Sequence, residues 1–221
     1  MCNKILQLLP VSLCAALLNI SCWAQDDAFL PLIDAVTMTS DIPIDDNSLE
    51  RILGIRKIAG TFTLSDEILR RDERIQSVRL RVDLYRQGRP IPLSIKKPGI
   101  GSKELPRHGQ FLVQIVDLDQ LRLGNAPPGH WRIFLSLMMT EEPNGRGVTA
   151  GPQKMDVSKT QFDAQPGTSK IGRFTKFPEK SVREIPIFFS ASGRILKNAS
   201  LPELLEENPQ SDVLVGVIEV R

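Results

Sequence analysis

Few side chains in this chain are of a type that does chemistry once its first two dozen residues are set aside. Two histidines, His108 and His130, each stand beside a glycine, in Arg107-His-Gly109 and Gly129-His130. A zinc centre built on several histidines is therefore not expected, and both read as solvated loop residues. Asp117 and Asp119 stand two apart at the end of an apolar run. On a strand that spacing sends both carboxylates the same way, as in an acid–base pair or the start of a calcium site. Calcium takes about six or more oxygens, and Asp-Leu-Asp is also an ordinary way for a strand to end. Asp41, Asp45, Asp46, Asn47 and Glu50 have the composition of a calcium loop without its spacing or its central glycine. They fit better as an acidic start to a following helical turn. No Gly-x-Ser-x-Gly elbow selects a serine nucleophile. Gly99-Ile-Gly101 and Gly145-Arg-Gly147 do not lead from a strand into a helix, so they read as turns rather than nucleotide loops. No metal or cofactor is implied. A hydrolase assembled from Asp117, Asp119, His108 or His130 is the alternative to a non-catalytic reading. It requires a histidine within hydrogen-bond reach of a carboxylate in a concave pocket.

All three cysteines, Cys2, Cys14 and Cys22, lie near the start of the 221-residue chain. There, Met1 to Lys4 is a short positive region, Ile5 to Ile20 is mostly apolar, and Cys22-Trp-Ala24 places small residues before Gln25. This is the layout of a secretory signal over residues 1–24, and the apolar run is too short and too interrupted for a membrane span. Ser21-Cys22 also resembles the end of a lipobox, with Asn19 where leucine is usual, so membrane attachment is expected only if Cys22 is lipidated. Downstream of Gln25 no disulfide, thiol nucleophile or thiolate metal site is possible. Export without cysteine fits a bacterial periplasm or surface better than a eukaryotic secreted domain, so a secreted or periplasmic protein is expected, and in a bacterial setting the match of Asn198-Ala-Ser200 to a glycosylation acceptor carries no weight.

The elements that would position these residues are strands. In Ser77–Tyr85, Val78, Leu80, Val82 and Leu84 alternate with Arg79, Arg81, Asp83 and Tyr85. This predicts an antiparallel strand with one buried and one wet face. Gln87-Gly88 supplies a tight reversal, and Pro90 and Pro92 mark the return, Ile91–Ile95, as an edge. Ile55–Leu64, Phe111–Leu118, Trp131–Met139, Glu184–Ser190 and Val213–Val220 read as further strands, the last buried on both faces. Met138-Met139 reads as core filling. Short helices are expected at Ser48–Leu53, around Ile68-Leu69, and at Leu201–Glu207 with Pro202 in its first turn. Ala126-Pro-Pro-Gly129 leading into a strand that opens with Trp131 resembles the penultimate strand of immunoglobulin-like sandwiches. The resemblance covers about a dozen residues, is architectural, and names no family. The expected fold is all-β and mainly antiparallel: an immunoglobulin-like β-sandwich with a short helical and loop-rich C-terminal part. Residues 25–54 form an acidic leader, and 55–221 the sandwich, with a long loop or insertion at 141–183 anchored by Phe162, Phe174 and Phe177.

The formal charge of +2 is unevenly spread. Gln25 to Glu50 holds seven acids and no base, whereas Arg51 to Arg107 holds fourteen bases and six acids. The bases read as a solvated sheet face or as a surface for an acidic partner or polyanionic polymer. Nucleic acid is a poor partner for an exported chain with few aromatics to stack on bases. A carbohydrate site would rest on Trp131 and Tyr85 alone. The leading expectation is an exported non-catalytic module that binds an envelope protein or polymer, through Arg79 and Arg81 on a sheet face and Ile91 and Ile95 at an edge open to β-augmentation.

Overall fold

The computed structural model describes residues 33–38, 54–65, 77–93, 97–101, 105–121, 127–142, 145–164, 170–174, 183–192 and 200–221, the first of these segments by its backbone alone. The strands are β1 Ile33–Met38, β2 Ile55–Leu64, β3 Ser77–Arg86, β4 Arg89–Ile91, β5 Gly99–Gly101, β6 His108–Asp117, β7 His130–Thr140, β8 Gly147–Ser158, β9 Lys170–Arg173, β10 Glu184–Ala191 and β11 Asp212–Val220. Among the described residues two short helices join them, α1 Leu118–Leu121 and α2 Leu201–Glu207. All strand pairings are antiparallel, in two sheets. The first sheet runs β1-β2-β6-β7-β8. The second runs β4-β3-β11-β10-β9, with β5 also paired to β3. The sheets face each other, β3 and β5 lying over β7, β5 over β8, and β1 over β9.

Alternation decides which face of each strand is buried. Val78, Leu80, Val82 and Leu84 of β3 meet Phe111, Val113 and Ile115 of β6 and Trp131, Ile133, Leu135 and Leu137 of β7 in one apolar core. Burial of each such side chain contributes about 1.5–3 kcal/mol. β11 is buried on both faces because the outer side of the second sheet is itself half covered. There Val213, Val215, Phe189, Ala191 and Phe174 form a second cluster under Leu204 of α2, with Tyr85, Leu201 and Leu205 at its margin. Pro202 lies in the first turn of α2, where a missing N–H is tolerated. The Glu203 carboxylate accepts the Ser200 N–H at 2.7 Å, closing the helix start.

Three phenylalanines lie directly across from glycines on a neighbouring strand: Phe62 from Gly109, Phe188 from Gly216 and Phe189 from Gly172. A Cβ at Gly216 would come within 1.9 Å of the Phe188 ring, and the other two glycines are as tightly covered. The Phe188 ring so placed stacks on Phe111 of the opposite sheet, 5.1 Å between centroids.

Several expectations change. Part of the acidic leader, residues 33–38, is strand β1, paired antiparallel with β2 with a register shift between Ile33 and Ala35. Within 141–183, where a long loop or insertion is expected, lie β8 and β9. β8 is an edge strand exposed on most of its length, so burial imposes no apolar alternation for a sequence reading to find. It carries a bulge where Gly151 and Pro152 oppose Ser136, with Gly151 at φ +103°. Gly99-Ile-Gly101 is strand β5 rather than a turn, and the return arm after Gly88 pairs only over Arg89–Ile91. Met139 fills the core, but Met138 turns to the outer face and is only half-buried. Ile95, Phe177, Cys22 and the helices expected near 48–53 and 68–69 lie outside the described residues.

Candidate functional site

The outer face of the second sheet is divided between the cluster under α2 and a charged end. At that end Arg81 is paired with two carboxylates: its guanidinium donates twice to Asp83, both at 2.9 Å, and once to Glu184 at 2.6 Å. The bond to Arg81 holds the Glu184 carboxyl below its usual range, against partial desolvation. One strand over, Glu219 of β11 has 4 % of its side chain exposed. It accepts Lys97 at 3.0 Å and Arg221 at 2.5 Å. Burial alone would push the Glu219 carboxyl up. The bonds from Arg221 and Lys97 outweigh it and hold the carboxyl below the usual glutamate value.

Arg79 stands opposite Glu219 in the ladder but extends the other way, across Gly99. A Cβ on that glycine would fall 2.6 Å from Arg79 Cγ. No carboxylate partner for Arg79 is present among the described residues. Arg79, Lys97 and Arg221 converge with Gly99, Gly101 and Gln153 of β8 on a cleft of about 680 Å³ at the margin of the two sheets. Three cations thus line it, two of them held by a carboxylate buried behind them.

The cleft borders a divided sheet edge. Gln87 and Gly88 both have positive φ, +52° and +71°, as a two-residue primed turn requires. Arg86 and Arg89 close that hairpin, so Arg89 and Ile91 point their backbone groups at β3 while Pro90, between them, faces outward. Proline has no N–H, so β4 offers no donor at that position. Ile91 packs against the core. In β5 the alternation runs differently. Pro98 O accepts from Leu80 N at 3.0 Å, which places Ile100 towards β3 and leaves the N–H and C=O of Gly99 and Gly101 directed outward.

The residues named for hydrolysis are not assembled. His108 starts β6 and Asp117 ends it. The nearest side-chain partner of His108 is Thr63 Oγ1, at 3.4 Å. His130 lies on the same end of the sheet as the aspartates, but its Nδ1–H donates to Pro128 O at 2.7 Å. Asp117 and Asp119 both take the Lys159 ammonium, each at 2.7 Å. Asp119 also accepts the N–H of Gly129 at 2.8 Å. Partial burial works against the charge on Lys159, yet the two carboxylates keep its pKa above the ordinary lysine value, and Lys159 holds the Asp119 carboxyl below its own. Lys159 lies 4.7 Å from the Trp131 ring centroid. The pair of aspartates therefore ties the Pro-Pro-Gly turn and the end of β8 to the strand start at Trp131. Among the described residues no group of three or more histidines and carboxylates is placed to hold a metal.

Of the residues proposed from the sequence, Arg79 lies in the cleft, Arg81 beside it in an ion-pair network, and Ile91 at the neighbouring edge. Lys97, Glu219, Arg221 and Gln153 were missed, since nothing local marks them: the sheet register alone brings the chain's last strand beside β3. No family model, no curated protein and no solved structure matches this chain.

Proposed function

We propose that the protein is an exported, non-catalytic β-sandwich module, immunoglobulin-like in general architecture, that binds a protein or polymer in the cell envelope or outside the cell. The observation carrying this reading is the cleft of Arg79, Lys97 and Arg221 beside a sheet edge. Three cations crowd this concave surface, Glu219 lies behind two of them, and Arg79 has no carboxylate among the described residues, so together they raise the local concentration of an anionic partner. The secretory layout of residues 1–24 is what supports a partner in the periplasm or outside the cell.

The test is capture from the envelope with mild crosslinking, reading the protein's own N-terminus in the same mass spectra. A stoichiometric, salt-sensitive partner and a chain starting at Gln25 are expected; a lipid-modified start at Cys22 would tether the same module to a membrane. An uncleaved chain that stays in the cytoplasm, or no saturable partner in the envelope or the medium, would sink the reading.

A further inference from the structure

We infer that the β5 edge takes an extended acidic peptide segment as an added strand, with one of its carboxylates seated among Arg79, Lys97 and Arg221. This rests on the binding-module reading above and gives its ligand a chemical class. Gly99 and Gly101 each turn an N–H and a C=O away from β3, two residues apart, which is the repeat an incoming strand presents. With no side chains on those two residues, a second backbone can approach closely. The neighbouring β4 is closed to the same pairing at Pro90, and across the cleft β8 is bent by its bulge at Gly151 and Pro152.

Charge supplies the acidic requirement. Arg79 lies over Gly99, so a side chain projecting from a strand on β5 meets its guanidinium first. Lys97 and Arg221 are held in place by Glu219 before any ligand arrives, which lowers the ordering cost of binding. A carboxylate there gains charge-assisted bonds from Arg, which binds it in a planar, two-pronged way. An anionic saccharide can use the cations and accept from a single amide, but it does not present donors and acceptors at the two-residue repeat of Gly99 and Gly101, so the backbone favours peptide.

The probe is a blocked eight-residue peptide alternating valine with glutamate, compared with its glutamine counterpart and with a sulfated heparin-type oligosaccharide. Amide exchange is read on the full-length, isotope-labelled wild-type protein. The glutamate peptide is expected to protect the Gly99 and Gly101 amides at least about tenfold. Its affinity should fall at least about tenfold with the glutamine peptide, with Arg79→Ala and with Gly101→Pro. Absent protection at both glycines, or equal affinity for the two peptides, overturns the inference. So does an oligosaccharide that binds in preference and leaves the glycine amides exchanging freely. If the peptide fails while envelope capture by the same protein persists, the module reading survives with its partner elsewhere; if capture fails too, both fall.

Discussion

A glutamate with 4 % of its side chain exposed, as at position 219, is stable only because Lys97 and Arg221 stand against it. Its depressed pKa fixes the direction of a pH effect. Because the folded-state pKa lies below the ordinary value of 4.5, the stabilisation is complete above that value and is lost as pH falls through the folded one. Glu219→Gln should therefore lower stability by about 1–3 kcal/mol at pH 7, read as a drop in the urea midpoint. The gap to wild type should narrow as pH falls below 4.5 and the native carboxyl takes up a proton. A gap that is constant with pH would show that Glu219 acts through packing alone. Little of this was visible in the sequence. The alternation of Ser77–Tyr85 places Arg79 and Arg81 on one face, but it does not tell which of the two is already paired. That depends on Glu184 and Glu219, more than a hundred residues away.

Among the elements, those with one face in the core were legible and those without one were not. β2, β3, β6 and β7 declare themselves because burial of alternate residues leaves a period of two in the sequence, and β10 and β11, buried on both faces, because they read as nearly continuous apolar runs. β8 has few apolar residues to bury, and β5 is a tripeptide whose single inward side chain, Ile100, gives no period. α2 was legible from Pro202 in its first turn, whereas its role was not. It is the cover for the second cluster, with Leu204 fully buried against the outer face of the second sheet. Leu204→Ala should destabilise the whole protein by about 2–4 kcal/mol, moving the urea midpoint of the strand signal and the near-ultraviolet aromatic signal together. A helix that melts alone, leaving the sheet midpoint in place, would show the cover to be a separate unit. The change lies at the other end of the sheet's outer face from the charged cleft, so anionic peptide binding to the folded variant should be unaltered.

At the scale of the molecule, the second sheet is closed by pairing β3, early in the chain, with β11 at its end, while the first sheet is built largely from the residues between. Such long-range pairing must pay loop entropy before it gains contacts, so refolding is expected on a scale of roughly milliseconds to seconds. Stopped-flow fluorescence of Trp131 reads this; completion in microseconds would mean that the local hairpins, not the β3–β11 ladder, limit the rate. Slow pairing gives every strand time to try neighbours one step out of line, which in a sheet exchanges inner and outer faces. The three phenylalanine–glycine pairs bear on that search. Each ring occupies the volume where a Cβ would stand on the strand beside it, so a shift of one residue drives it against a side chain that is really there. Phe62, Phe188 and Phe189 thus act as keys, each cut for one glycine, and they proofread the alignment of β6, β11 and β9 as the sheets form.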